Sequence, residues 1–449
     1  MTFWILGFFT LLLYIGFQVA HQAKDPSQFY VAGAGNPVWL TTASLLATIL
    51  GSSAILGTIS LSSKIGWAAI WLMGSASLGL FALVPLSKYV RRHGRFTLPE
   101  LFEKFFGRQA FIVSSAIIPI AWTGVIAAQV IGGGKILSAA TPLSYPAGCI
   151  CSGTVFIVYT LLGGQVSILK TDFWQAILIV AGLSTGAFFA LQSFPAPMTS
   201  LQAPSFPFNA QFTPMDLGVL IMTYASMFLV GPDIYSRLFC AKDERAAAQS
   251  VLCAAVLLIP VGILLTTIGV ISQALFPSAE IHNFHSLIQT LRLVLPPWAF
   301  VLMILALLSA VMSSADTTLL TSATIFNGLF HNLTQRESVR SARIWIAVFG
   351  AGSTLIALFL KSIIDSLLLA FSCFSGAFFV PAVAGLLGAR FSEQRIIKAM
   401  IAGGVLALAG KIVSILFHQN AGHLLIFSAF IMNALVLFLP VPSTKKPLP

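Results

Sequence analysis

Charge is what this sequence has least of. Only 8% of its 449 residues are Asp, Glu, Lys or Arg, against roughly 25% in a soluble domain, whose water-facing surface requires them. That scarcity excludes a protein that folds alone in water and places the chain in lipid. Cysteine is scarce as well. Cys149 and Cys151 form a C-x-C inside an apolar segment, while Cys240, Cys253 and Cys373 stand alone. Neither a zinc spacing nor a disulfide framework is present, so the five read as small apolar fillers. No Lys or Arg precedes the first apolar run, residues 3–19. The charged region of a secretory signal is therefore missing, and the run reads as a spanning helix with its N-terminus outside. The net charge of +11 is not gathered into a patch. It lies in short loops between apolar runs, which excludes nucleic acid as a partner and suits a membrane protein with cationic cytoplasmic loops.

What the sequence has in abundance is apolar runs, in a chain that is 57% hydrophobic. A helix needs about 20 apolar residues to cross the hydrocarbon core, and its backbone must be satisfied within the segment. About thirteen runs meet that requirement, near 3–21, 38–61, 66–88, 110–138, 144–162, 172–193, 215–238, 247–275, 297–325, 343–361, 364–388, 396–417 and 422–440. Loop cations orient them. With the N-terminus outside, the inner loops hold Lys24, Lys88, Arg91, Arg92, Arg95, Lys104, Arg108, Lys170, Arg237, Lys242, Arg245, Arg336, Arg340, Arg343, Arg390, Arg395, Lys398, Lys445 and Lys446. Only Lys64, Lys135, Arg292, Lys361 and Lys411 remain outside or within the bilayer. The whole chain is one transmembrane unit with a cytoplasmic C-terminus, in a cell (inner) membrane, and has no linker long enough to separate a soluble domain.

Polar groups inside spans mark function, and three stretches carry them. In Ala47-Thr48-Ile49-Leu50-Gly51-Ser52-Ser53-Ala54, Gly and Ser weaken the helix, and a break there releases carbonyls able to hold a cation. Close helix packing by small residues is the alternative. In the run 309–318, Ala310, Ser313, Ser314 and Thr317 share one helical face and offer hard oxygen ligands. Asp316 adds a carboxylate in the same span, which packing alone explains poorly. In Gly163-Gly164-Gln165 through Lys170-Thr171-Asp172, two glycines make a cytoplasmic turn. Thr171 or Asp172 then either caps the next helix or binds a cation or proton.

Other signals carry less. Gly132-Gly133-Gly134-Lys135 lacks the phosphate-loop spacing. Glu280, His282 and His285 lie on an outer loop, where a solvated role is expected. Asn332-Leu333-Thr334 matches a glycosylation sequon but falls on the inner side. Nothing at matched membrane depth assembles a catalytic constellation, so no enzyme and no cofactor is expected.

The polar stretches, in their order, resemble the sodium/solute symporter family. Phe29-Tyr30-Val31-Ala32-Gly33, the segment Gly163-Gly164 to Gln175, Gly231-Pro232-Asp233 to Arg237 with Ala241-Lys242, and the run 309–318 each match a family segment, and together they span most of residues 29–389. The resemblance implies an all-α polytopic membrane fold, a LeuT-like 5+5 inverted repeat. Residues 38–193 and 215–388 would form the two repeats, with one additional N-terminal helix and two additional C-terminal helices (396–440).

The resemblance also implies a sodium site from the carbonyls of Ala47, Leu50 and Ala310 and the hydroxyls of Ser313 and Ser314. It implies a second cation or proton site around Asp172, Ser313, Asp316 and Thr317, where paired carboxylates either bind a second ion or share a proton. Ser52, Ser53, Tyr224, Met227, Ser372 and Ser375 are the expected solute pocket, with no obvious fixed charge on its walls. Gly231-Pro232 departs from the family's usual Gly-Gln, and the nearly apolar Ser53-Ala54 disfavours a sugar. The implied activity is sodium-coupled symport of a small organic solute by alternating access. A proton-coupled carrier or exchanger on the same scaffold and a transporter-like solute sensor are the rivals.

Overall fold

The computed structural model describes residues 1–194, 205–276, 284–360, 363–416 and 419–439. Glu280, His282, Lys361, Lys445 and Lys446 lie outside the described residues, as does the side chain of His285. Among the described residues the only strand pairing is two isolated bridges, Asn36 with Ala241 and Asn209 with Phe212. Everything else regular is helix, as a bilayer demands of a chain without a closed barrel.

The chain opens with α1 (Thr2–Val19) and the short α2 (Pro26–Val31), capped by the Asp25 side chain, which accepts from the Gln28 N–H. A left-handed turn at Ala32 and Gly33 leads to α3 (Val38–Ile49). α4 (Ser52–Ile65) follows after a break, and Gly66, at φ 60°, turns the chain toward α5 (Ile70–His93). The amphipathic α6 (Leu98–Phe106) starts on a reciprocal Thr97–Glu100 cap. α7 (Arg108–Ala140) and α8 (Tyr145–Ser193) complete the first half.

The second half begins with α9 (Pro214–Leu220), then a π-type widening over Ile221–Ala225 and α10 (Ser226–Val230). α11 (Pro232–Cys240) and α12 (Glu244–Leu275) come next. α13 (Phe284–Val294) precedes α14 (Pro297–Asn327), α15 (Arg336–Phe359) and α16 (Ile363–Leu386). α17 (Glu393–Leu416) and α18 (Gln419–Phe438) pair at the end of the chain.

Eleven helices among the described residues are long and apolar enough to cross a membrane, where the sequence suggests thirteen. The counts part at two places. Residues 52–93 and 145–193 each count as one helix, of 42 and 49 residues. At 1.5 Å per residue these would run about 63 and 74 Å, twice the hydrocarbon thickness. Gly164 interrupts the longer one at φ 53°, ψ −146°. Tyr159 and Thr171, twelve positions apart, then meet hydroxyl to hydroxyl at 2.5 Å, whereas a straight helix would hold them about 18 Å apart. The chain folds back at Gly163-Gly164, as the glycine pair suggests. A Cβ at Gly164 would stand 2.6 Å from the Phe29 ring and 2.8 Å from its carbonyl oxygen, so α2 packs directly against the turn.

α14 is the axis of the molecule. Residues 306–325 are buried without interruption, the mark of a helix enclosed on every side. α1 shows the opposite character, with Phe3, Trp4, Leu6 and Phe17 exposed along its outer face. A buried hydrogen-bond chain pins the C-terminal end of α14 to α2 and α15. The Asn327 amide donates to the Tyr30 hydroxyl at 3.2 Å and to the Ser338 carbonyl at 2.8 Å, and Tyr30 donates to the Ser338 hydroxyl at 3.0 Å.

Candidate cation and solute site

The break between α3 and α4 comes from local chemistry. Leu50 leaves the helical region at φ −81°, ψ 47°, and Gly51 is fully extended at ψ −176°. The carbonyls before the break therefore lose their helical partners, and the first amides of α4 lose theirs. Gln129 on α7 supplies part of the replacement. Its side-chain oxygen accepts from the Ser52 N–H at 2.9 Å and from the Ser52 hydroxyl at 2.8 Å. The sequence reading missed Gln129. Its one signal was an amide side chain deep in an apolar span, between Ala128 and Val130.

Ser313 and Ser314 of α14 meet the freed carbonyls. Ser313 Oγ lies 2.8 Å from the Ala47 oxygen and 3.1 Å from the Ala310 oxygen, and Ser314 Oγ lies 2.7 Å from the Thr48 oxygen. Ala47, Ala310 and Ser313 are thus brought together, and Leu50 sits at the break beside them. Ser314 is paired with Thr48, a residue outside the expected set. A Cβ on Gly51 would stand 2.4 Å from Ser314 Oγ, so only glycine lets the break approach α14 this closely. The result is a cluster of carbonyl and hydroxyl oxygens, a donor set suited to a hard cation.

One helical turn further along α14, at Asp316 and Thr317, lies a second, charged cluster. Asp172 is not a cap, because α8 resumes directly after Gly164 and carries Thr171 and Asp172 within it. Its carboxylate accepts from the Ser44 hydroxyl and, at 3.3 Å, from the Arg237 guanidinium. Arg237 also donates to the Thr317 hydroxyl, which lies 3.2 Å from that of Thr48. Asp316 accepts from Thr160 at 3.2 Å. Arg237 corrects the sequence reading, which counts it among cations of an inner loop; it is fully buried. The short α11, started by Pro232 after the extended Gly231, turns back into the protein and carries the guanidinium to α8 and α14. Ser44 and Thr160 also belong to this network, and the sequence alone does not single them out.

Beside the α3–α4 break is a small cavity of about 30 Å³. Of the residues assigned to a solute pocket, Ser53, Tyr224 and Met227 line it, together with Thr48, Gly51, Gln129, Phe228, Ser314, Phe371 and Asp233. Three other expected pocket residues do not. Ser52 is taken by Gln129 and by the Ala128 carbonyl at 3.2 Å. Ser375 donates to the Thr223 carbonyl at 2.9 Å, and Ser372 is buried beside Phe371. Asp233 corrects the expectation of an uncharged wall. It reaches the cavity because Gly231 breaks the span between α10 and α11, an interruption that composition does not advertise.

The sequence matches the model of the Sodium:solute symporter family over residues 29–403, a range that contains every residue of these clusters. The chain belongs to the sodium:solute symporter family. The osmoregulated proline transporter OpuE of Bacillus subtilis is 24% identical, with 98% of this chain and 94% of the relative covered. The sodium/pantothenate symporter of Escherichia coli is 27% identical over 81% and 80%. Among solved structures, a substrate-bound, outward-open Na+-coupled sialic acid symporter superposes with a TM-score of 0.79 at 18% identity, over 96% of this chain and 97% of the other. A nucleobase-cation-symport-1 family transporter, Mhp1, gives 0.61 at 14% identity, over 91% and 93%. These superpositions show the fold, which is that of LeuT-like transporters. The family member described here is accordingly a multi-pass membrane protein of a transporter family.

Proposed function

We propose that the chain is a secondary active transporter that brings a small organic solute inward with sodium by alternating access. One observation supports this above the others: the cation cluster and the cavity share walls. Thr48, Gly51 and Ser314 border both. A sodium ion held by the oxygens of Ala47, Leu50, Ala310, Ser313 and Ser314 fixes the α3–α4 break against α14. That same geometry forms one side of the solute cavity, so each ligand favours the conformation the other needs. Release of the ion inward loosens α3 from α14 and opens the cavity. Relatives named for proline and for pantothenate support a small organic solute, and the family's transport role argues against an enzyme.

The site around Asp172, Ser313, Asp316 and Thr317 is proposed as a second cation or proton site. The three buried carboxylates Asp172, Asp233 and Asp316 face one buried guanidinium, Arg237, among the described residues. That imbalance is the observation favouring proton coupling as the second reading. The proposed topology has thirteen crossings, with repeats at 38–193 and 215–388, the N-terminus outside and the C-terminus in the cytoplasm of an inner membrane.

Ser313→Ala combined with Ser314→Ala tests the ion ligands. A ligand bound only by the folded state raises stability by mass action, so thermal unfolding in sodium against potassium, at equal ionic strength, reads occupancy. The double variant should need at least about tenfold more sodium for half its effect, about 1.4 kcal/mol. Unchanged sodium affinity overturns the ligand assignment. A shift that follows pH and ignores sodium moves the proton-coupled reading ahead.

A further inference from the structure

Of the three buried carboxylates, Asp172 accepts from Ser44 and Arg237, and Asp316 accepts from Thr160. Asp233 differs in place: it is the one acidic group on the cavity wall. It is 8% exposed, and its Oδ1, like that of Asp172, has no hydrogen-bond partner among the described residues. It stands in the first turn of α11, where the helix dipole favours an anion. Arg237, one turn further on, turns its Nη2 to Asp172 and Thr317 instead. The wall of the same cavity is also aromatic. The Tyr224 ring lies 5.2 Å from that of Phe228 and 5.7 Å from that of Phe371, centroid to centroid. A carboxylate and clustered aromatic rings lining one cavity make an environment that attracts an organic cation, by charge and by the ring quadrupoles together.

We propose that Asp233 is the solute-recognition anion, and that the carried solute bears a cationic nitrogen, as an amine, an amino acid or a quaternary ammonium. The inference rests on the symport reading above. A positive solute nitrogen would pair directly with the Asp233 carboxylate, whereas a sugar or a purely anionic solute would leave its Oδ1 without a partner in a buried site, which is costly.

Thermal unfolding of the full-length protein in sodium or potassium provides the test, with matched pairs of probes. Proline is set against N-acetylproline, choline against its uncharged isostere 3,3-dimethylbutanol, and pantothenate serves as an anion. We expect a cationic-nitrogen probe to add to the sodium shift only when sodium is present. Its counterpart without the positive nitrogen should bind at least about tenfold more weakly. Asp233→Asn should erase that preference, and Asp233→Glu should keep part of it. If neutral or anionic probes bind as well, or if no cationic probe stabilises the protein, the inference is overturned. The matched pairs decide this in the wild-type chain even if both variants fail to fold. A sodium shift without the cationic preference sinks the role of Asp233 and leaves symport standing. A cationic preference with no sodium response does the reverse.

Discussion

Arg237 shows what one residue does in this fold. Its guanidinium is fully buried and joins Asp172 on α8 to Thr317 on α14, with both members of the ion pair inaccessible to solvent. Nε and Nη1 have no partner among the described residues, so the pair contributes less than an ideally bonded one. Removing one member is another matter, because it strands a buried charge at a cost of about 3–5 kcal/mol. Arg237→Met should therefore lower the unfolding midpoint of the purified protein sharply. Arg237→Met with Asp172→Asn should recover much of that loss, since no unpaired charge is left. A double-mutant cycle measures the coupling; an Arg237→Met protein as stable as the wild type would show that Asp172 does not depend on the pair. The sequence made Asp172 and Thr317 legible, because polar residues in apolar spans stand out. It hid Arg237, since a cation next to a polar stretch reads equally well as part of a loop, and only the extended Gly231 turns it inward.

At the scale of helices, the site is built from interruptions. α3 stops before α4, α8 reverses at Gly164, and α10 gives way to α11 at Gly231, and each break puts backbone or side-chain polarity where a continuous helix would have none. The first two were legible because Gly51-Ser52-Ser53 and Gly163-Gly164 weaken a helix by composition. The third was not, since a Gly-Pro pair reads equally as an ordinary helix start. Gly51 separates helix-breaking from ion binding. Its φ of −73° suits any residue, so Gly51→Ala imposes no backbone strain. The added Cβ instead meets Ser314 Oγ at 2.4 Å and Ser314 Cβ at 2.8 Å, pushing α14 away from the freed carbonyls. Gly51→Ala should keep the helical circular-dichroism signal while raising the sodium needed for half-maximal stabilisation by about tenfold or more. Sodium affinity equal to wild type would mean that the ion does not sit between the break and α14.

For the molecule as a whole, the question is how many times the chain crosses. Lipid thickness and loop charge made the class of fold legible, because both are set by the bilayer rather than by packing detail. The count differs between eleven and thirteen because helix continuity alone does not register a tight turn. The segment between α5 and α7 discriminates the two. Under thirteen crossings with the N-terminus outside, Arg95 faces the cytoplasm and Leu143, past α7, faces outward. If residues 52–93 crossed only once, both assignments would invert. Arg91, Arg92, Arg95, Lys104 and Arg108 crowd the first of these segments, which favours the inner side. Thr2→Cys, Arg95→Cys and Leu143→Cys, placed singly at exposed positions in a chain freed of its five native cysteines, turn this into a labelling experiment. An impermeant maleimide applied to intact cells should modify the cysteines at 2 and 143, and should reach the one at 95 only after permeabilisation. Labelling at 2 and 95 with protection at 143 would reduce residues 52–93 to a single crossing. It would also remove the opposite starting sides that an inverted pair of five-helix repeats requires.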